Sequence, residues 1–490
     1  MITLKNLEDR LWSGAVILQN VFSPSDCINC FFRILLIKRL SDLFEEEVYK
    51  PDKRFSIPVI SQWNYLQQIT GNIGKVLNEA GIAIETYNTK LKELQGIFIS
   101  YDFENISSRV SLREQDKVLN EFIFYLSYIK LQNSYFVETD LLGRVCESLL
   151  EKFGDSLGKE YGAFHTPQKV AQLLVHLLEL QPGMSMSICD PFCGLGGMLT
   201  ESIKQIKHLG SKQNDLLLYG QDINQNTFSL AKINLLLHDI FDFDIRLGDT
   251  IREPQLVENS NLMLFDRVIS NPPFSIRNWG DDLAKFDVYG RLRYGIPPKG
   301  SGDFAFIQHI LATLKNTGKA GVIVPLGVLF RGGAESEIRT RIIESDLIEA
   351  VIGLAANLFY GTGIATAILI FNRDKQEDRK NKVLFINASN EYQKSRNQNY
   401  LREEDVTHII TAYQAFQDEE GYAKVVALEE LAANEYILNI NRYVLTPKDE
   451  KDKIDIEAEI IKLRELEAQR AEAEMSMNKY LRELGIELSD

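Results

Sequence analysis

Hydrophobic positions follow two regimes along the chain, and the change between them falls near residue 168. Before it, apolar residues recur in long stretches with little Gly or Pro. Examples are Phe31-Phe32-Arg33-Ile34-Leu35-Leu36-Ile37-Lys38-Arg39-Leu40 and Phe122-Ile123-Phe124-Tyr125-Leu126-Ser127-Tyr128-Ile129. These predict helices, and residues 1–150 are read as a helical N-terminal domain with no chemistry assigned. After it, short apolar runs alternate with amphipathic ones. Strands are predicted at 186–190, 217–221, 243–247, 267–270, 320–324, 348–353 and 366–371, and helices at 197–207, 225–238, 304–315 and 334–344. Seven strands in this cadence predict one doubly wound α/β domain over residues 151–445, with helices on both faces of the sheet. Ligands of open α/β sheets lie beyond the carboxyl ends of the strands, which directs the search to the loops after the first four.

A third pattern closes the chain. Residues 455–484 contain no Gly or Pro and place Ile456, Ile460, Leu463, Met475, Leu481 and Leu484 among dense Glu, Lys and Arg. One long amphipathic helix is expected within the C-terminal segment 446–490, either packed on its own domain or binding a partner.

Composition narrows the class. The chain has 490 residues, 45% hydrophobic and 25% charged, as in ordinary soluble globular proteins of more than one domain. Its first residues are charged rather than apolar and no apolar run is long enough to span a bilayer. The expectation is therefore a cytoplasmic protein with no membrane contact. Five cysteines, Cys27, Cys30, Cys146, Cys189 and Cys193, do not form a disulfide framework. Cys27 and Cys30 have the spacing of half a zinc site, but no second pair completes it, so buried thiols without metal are expected. A net charge of -15 argues against holding nucleic acid through a general basic field. DNA, if it is the substrate, would need local patches or a partner.

Candidate chemistry concentrates at strand ends. Asn271-Pro272-Pro273-Phe274 follows the fourth predicted strand. An Asn side-chain oxygen and the Pro272 carbonyl offer two acceptors, and neither proline has an N-H to occupy them. Two acceptors suit an amine with two hydrogens, and Phe274 adds a flat apolar face for a planar base. A Pro-Pro pair after a strand also occurs as a plain rigid loop. After the first strand comes Asp190-Pro191-Phe192-Cys193-Gly194-Leu195-Gly196-Gly197, where glycines admit close approach of a ligand to the backbone. Because this turn begins with an acid, it favours a cationic ligand over a pyrophosphate. S-adenosylmethionine, with its sulfonium and ammonium, is such a ligand. Asp222 follows the second strand, placed to accept ribose hydroxyls, and Asp249 the third, placed to accept from an adenine amine. A lone Asp after a strand is commonly a helix cap, but a set of three together with the Asn-Pro-Pro-Phe loop points to a site.

This arrangement resembles the amino-methyltransferases that act on DNA adenine at N6, and within them the modification (M) subunits of type I restriction-modification systems. Gly162-Ala163-Phe164-His165-Thr166-Pro167 is similar to the family's Phe-Tyr-Thr-Pro segment. Residues 230–238, 328–334 and 357–363 are similar to further stretches of that subunit, and the likeness runs from about residue 20 to 445. It implies a seven-stranded Rossmann-like methyltransferase domain. S-adenosylmethionine would be held by Phe164, His165, Thr166, Pro167, Asp190, Pro191, Cys193, Gly194, Leu195, Gly196, Gly197, Asp222 and Asp249. Asn271, Pro272, Pro273 and Phe274 would hold the target adenine, and no metal is implied. Leu195, His165 and Ala163 depart from the family's usual Ser, Tyr and Glu, which bears on individual cofactor contacts. The implied partners are double-stranded DNA, a specificity (S) subunit that reads the sequence, a second M subunit and a restriction (R) subunit. Residues 275–302, with Trp279, Arg291, Arg293 and Lys299, are expected to border the base pocket and touch DNA or a partner. Two other readings stay open: methylation of a protein glutamine, whose amide is also planar, and a scaffold that retains the fold without activity.

Overall fold

The structure, a computed structural model, describes residues 2–47, 54–107, 109–138, 140–157, 166–282, 284–359, 361–395, 398–445, 463–471, 473–474 and 477. The helical region contains α1 (Leu4–Gln19), α2 (Pro24–Glu46), α3 (Ile73–Tyr87), α4 (Leu112–Ser127) and α5 (Leu141–Leu157). Helix α2 starts where its sequence directs, with Pro24 in the first turn and the Ser23 hydroxyl accepting the Asp26 N-H. It is buried on all sides and becomes the central helix, against which α1 and α5 pack. Two of its three buried cations are paired with carboxylates, Lys38 with Asp42 and Arg39 with Asp239 at 2.8 Å, while Arg33 donates to the Ile97 carbonyl at 2.9 Å and to Asn29 Oδ1 at 2.7 Å. Cys27 and Cys30 lie buried in the same helix, and burial pushes the Cys27 thiol up to about 12.

The remainder is built on one nine-stranded sheet. Its strands are β1 (Met186–Asp190), β2 (Leu216–Asp222), β3 (Phe243–Leu247), β4 (Phe265–Ser270), β5 (Leu314–Pro325), β6 (Ile348–Leu354), β7 (Thr366–Asn372), β8 (Lys382–Ala388) and β9 (Ala423–Ala427). The order is β9-β8-β6-β7-β5-β4-β1-β2-β3. β7 runs antiparallel to both neighbours, β5 and β6, and β9 is antiparallel at the edge, while every other pairing is parallel. All seven predicted strands are present, and β8 and β9 extend the sheet beyond them. The helix predicted to run to residue 315 ends at Ala312, because the polar run Lys315-Asn316-Thr317-Gly318-Lys319 belongs to an unusually long β5.

Consecutive strand residues feed opposite faces. Ile188, Ile269, Ile323 and Ile352 join one core with α6 (Gln168–Leu177), α7 (Gly197–His208), α8 (Gln225–Leu237) and the N-terminal helices. Cys189, Val268, Val322 and Val351 join a second core with α9 (Asp303–Ala312) and α10 (Ala334–Glu344). The helical region is therefore part of one face of the sheet.

An ionic cluster marks that joint. His238, at the end of α8, lies 2.7 Å from Asp140 and 3.3 Å from Glu147 of α5, and Glu147 also binds Lys204 of α7 at 2.6 Å. Burial drives the His238 imidazole down, but Asp140 and Glu147 outweigh it and hold the group up at about 9. Gly143 lets the ring in, since a Cβ there would sit 2.1 Å from His238 Nδ1.

Of the predicted tail, residues 463–471 are helical and exposed, Leu463 and Leu466 included. The rest of that helix, residues 473–474 and 477 apart, lies outside the described residues. Among the described residues, no helix is long and apolar enough to cross a membrane.

Candidate active site

The loops after β1, β2, β3 and β4 meet around a cleft of about 460 Å³. Thr166, Pro191, Cys193, Gly194, Gly197, Asp222, Asp249, Asn271 and Pro273 line it. The loop after β1 makes two left-handed turns, at Gly194 (φ 52°) and Gly196 (φ 77°), before α7 begins at Gly197. L side chains rarely adopt such angles, which explains the glycines of this segment. Asp190 anchors the assembly from below. Its Oδ1 accepts the Phe192 N-H at 3.0 Å and the Ser270 hydroxyl at 2.8 Å, joining the ends of β1 and β4. Asp222 accepts the Gly194 N-H at 3.1 Å and the Asn224 N-H at 2.8 Å, and the Thr250 hydroxyl donates to the Pro191 carbonyl at 2.6 Å. Four strand ends thus form one hydrogen-bonded floor.

Asp190 and Asp222 carry no compensating cation among the described residues, while Asp249 has Arg252 at 3.8 Å. Burial pushes the Asp190 carboxyl up to about 7, with Asp222 adding to the shift and the Phe192 and Ser270 donors opposing it. Burial likewise raises Asp222 to about 6, against two backbone donors. Asp190 Oδ2 is buried with no hydrogen-bond partner among the described residues. An unsatisfied buried carboxylate oxygen is costly unless a ligand completes it. Asp249 caps its own loop by accepting the Ile251 N-H at 2.9 Å and the Arg252 N-H at 3.0 Å, and still reaches the cleft.

Asn271 shows the same incompleteness. Its Nδ2 donates to Thr166 Oγ1 at 3.1 Å, while its Oδ1 is buried without a partner among the described residues. Pro273 faces the cleft and Pro272 is buried. Phe274 is half-buried beside the cleft and packs edge-on against Phe359, with ring centroids 6.3 Å apart at 79°. Of the other predicted residues, Pro167 precedes α6, and Leu195 points into the core with its carbonyl accepting Asn234 Nδ2 at 3.0 Å. Phe164 and His165 lie outside the described residues.

Sequence reasoning missed Phe192, Met198, Ile223, Thr250 and Phe306 as cleft residues, whereas Ile276 and Asn278 belong to the segment expected to border the pocket. Ile223 could have been found: an apolar residue directly after a strand-end acid, it is 67% exposed. Residues 275–302 need a correction. Trp279 does border the cleft, but Arg291 is not available to DNA. It is buried, paired with Asp287 at 2.8 Å, and donates to the Thr250 and Ile251 carbonyls, binding this segment to the loop after β3.

The sheet, with its seventh strand inserted antiparallel between the fifth and sixth, brings acids at the ends of the first three strands and Asn-Pro-Pro-Phe after the fourth to one edge, the motifs on which the resemblance to amino-methyltransferases rests. The comparisons agree. Residues 137–452 match the N-6 DNA methylase family and residues 7–125 match the HsdM N-terminal domain. The chain belongs to the N-6 DNA methylase family, alongside the methylase subunits of type I restriction enzymes. It is 36% identical over 397 residues to the type I restriction enzyme MjaVII methylase subunit of Methanocaldococcus jannaschii, covering 78% of this chain and 64% of that one. It is 29% identical to the HindI methylase subunit of Haemophilus influenzae, covering 88% of this chain and all of that one. A type I restriction-modification system methyltransferase subunit from Streptococcus thermophilus superposes with a TM-score of 0.78 at 26% identity, over 90% of this chain and 100% of that one. The chain thus spans slightly under two thirds of the Methanocaldococcus relative and the whole of the other two.

Proposed function

We propose that the protein transfers a methyl group from S-adenosylmethionine to N6 of adenine in DNA, as the modification subunit of a type I restriction-modification complex in the cytoplasm. The observation that supports this most is the unsatisfied acceptor Asn271 Oδ1 in a cleft also lined by Asp222 and Asp249, with a second unsatisfied oxygen, Asp190 Oδ2, buried beneath the β1 loop that forms its floor. S-adenosylmethionine fits the donor set: a cationic molecule with vicinal hydroxyls and an exocyclic amine meets Asp190, Asp222 and Asp249. When bound, it supplies the electrophilic methyl group. Gly194 and Gly197, which line the cleft, let it approach the backbone, while Gly196 turns the loop towards Ala231, and its positive charge would favour the ionised forms of Asp190 and Asp222.

On the substrate side, Asn271 Oδ1 and the Pro272 carbonyl accept the two hydrogens of the target amine. An amine conjugated with a purine ring is a poor nucleophile, and two fixed acceptors shift its electron density back onto nitrogen and hold it in line. No strong base is required, because the alkylated amine is acidic and sheds its proton afterwards. Phe274 lies within the same loop, where its ring can stack on a base rotated out of the duplex. Sequence choice belongs to a specificity subunit, with a second modification subunit and a restriction subunit completing the assembly. Residues 446–490 would dock on helices of that specificity subunit.

The test is sequencing for N6-methyladenine in a methylation-free host expressing this chain with its specificity subunit, beside an Asn271→Ala variant. Methylation of DNA by the wild type alone is expected. Transfer of tritiated methyl to protein instead of DNA would overturn the proposal. Deleting residues 450–490 is expected to abolish co-purification of the specificity subunit, and retained co-purification would remove the tail's role.

A further inference from the structure

The Asn271-Pro272-Pro273-Phe274 loop is fixed at its entry by the Ser270 hydroxyl on Asp190. Its exit is held by a different device. Directly after Phe274 the chain passes through Ser275 at φ 52°, in the left-handed region that non-glycine residues seldom occupy without support. The Ser275 N-H donates to Asp303 Oδ1 at 2.7 Å, and Arg331 spans the pair, donating through Nη1 to Asp303 Oδ2 at 2.7 Å and through Nη2 to Ser275 Oγ at 3.1 Å. A parallel backbone bond runs from the Gly302 N-H to the Ile276 carbonyl at 2.9 Å.

These groups are built into the protein. Asp303 is buried at the first turn of α9, where the helix N-terminus favours a carboxylate. Glu335, also buried, lies 3.4 Å from Arg331 Nη1, and the Ser301 hydroxyl has its one proton to share between Glu335 at 2.8 Å and Asp303 at 3.1 Å. Gly327 leaves the guanidinium its place, because a Cβ there would lie 2.4 Å from Arg331 Nε. With two carboxylates around it and both Nη atoms engaged, Arg331 is committed to this cluster and is not a free phosphate contact.

We infer that Asp303 and Arg331 are positioning residues that brace the exit of the Asn-Pro-Pro-Phe loop, and so set where its two acceptors meet the target amine. The inference rests on the proposed role of that loop. A shift of about 1 Å in such acceptors costs on the order of 100-fold in rate. The brace touches neither the Asp190 and Asp222 floor nor any other group proposed to hold the cofactor.

The experiment uses the complex with its specificity subunit, tritiated S-adenosylmethionine and plasmid DNA lacking N6-methyladenine. Asp303→Ala and Arg331→Ala are each expected to lower kcat by about 30- to 100-fold, with KM for DNA and Kd for S-adenosylmethionine within about threefold of wild type. The double variant is expected to be no slower than the worse single one, because the two act through one structure. Asp303→Asn keeps an acceptor for the Ser275 N-H and should recover about tenfold of the loss. Gly327→Ala, which displaces the guanidinium without touching the loop, should lower kcat alone and serves if Asp303→Ala does not fold. Wild-type kcat in Asp303→Ala and Gly327→Ala, or loss of cofactor binding in parallel with kcat, overturns the brace. Asn271→Ala separates the two levels: if it is inactive while Asp303→Ala is fully active, only the brace fails. If Asn271→Ala itself keeps wild-type turnover, the reading of the loop falls and the brace with it.

Discussion

Two groups of buried carboxylates, both within the sheet and its helices, have opposite electrostatic character. Asp140 and Glu147 at the helical joint face His238 and Lys204, and burial's upward pull on Glu147 is outweighed by these cations, so its carboxyl lies well below the usual range. Asp190 and Asp222 beneath the cleft face only N-H and hydroxyl donors, and burial raises them to about 7 and about 6. Asp190 and Asp222 are the more deeply buried, at 0% and 8% exposed against 21% and 16% for the Asp140 and Glu147 side chains. The larger difference is where the countercharge comes from: the first group is completed by the chain itself and joins two regions, whereas the second meets no cation among the described residues and, under the proposed function, is completed by a cationic ligand. An internally neutralised cluster belongs to the architecture, and an open one marks a site.

The sharpest way to break this contrast is to remove a carboxylate from each. Glu147→Ala leaves His238 and Lys204 short of a buried partner and is expected to destabilise the protein by about 3–5 kcal/mol, read by urea or thermal unfolding. Asp190→Asn is expected to do the reverse to the free protein. A carboxyl raised above its unfolded value contributes stability that is full below about pH 4 and lost as pH rises through about 7, so at pH 8 the neutral amide should melt higher, by on the order of 1 kcal/mol. The same substitution should weaken S-adenosylmethionine binding about 10- to 100-fold by calorimetry. Equal destabilisation by both substitutions would abolish the distinction.

Phe274 lies outside both clusters and serves as a control. Phe274→Ala should lower methylation by about 5- to 100-fold, the worth of one stacked base, with cofactor affinity unchanged. The smallest effect is in pH. Cofactor affinity should fall about tenfold between pH 8 and 5.5 as Asp190 and Asp222 take up protons, while the stabilising contribution of His238, full below about pH 6.5, should persist until pH approaches 9. A titration of affinity with a flat profile would show that the open cluster does not meet the ligand's charge.

Much of the fold was legible because it is written in local periodicity. Several predicted strands are runs such as Arg267-Val268-Ile269-Ser270, whose core is apolar on both faces as buried parallel strands require, while the edge strand Phe243-Asp244-Ile245-Arg246-Leu247 alternates apolar and charged residues. β8 has the same character in Val383-Leu384-Phe385-Ile386 and was within reach, whereas β9 is a half-buried edge strand with a weak signal. Strand order was not legible, because the insertion of β7 between β5 and β6 depends on pairing between distant segments. Within the site, Asp190, Asp222, Asp249 and Asn271 were found because each follows a strand end. Arg291 was misjudged because a cation in a loop between helix and strand reads as solvent-facing until the carbonyls that receive it are known.

By itself, the sequence determined the alternation of strands and helices, the glycines that permit left-handed turns after β1, and the residue types at each strand's carboxyl end. The resemblance carried by these motifs extends to family membership, which the comparisons bear out. Only the tertiary structure decided which polar atoms remain unsatisfied. Asp190 Oδ2 and Asn271 Oδ1 are ordinary side-chain oxygens in the sequence and stand out only because surrounding segments shield them from water without providing a donor, which is what makes them binding groups under the proposed function. The same holds for Ser275, Asp303 and Arg331, which are separated by up to 56 residues and meet only when β4, α9 and the loop after β5 are brought to one edge of the sheet. Hydrogen bonds and charge compensation depend on distances of a few ångströms, and those distances are set by packing between segments remote in the chain.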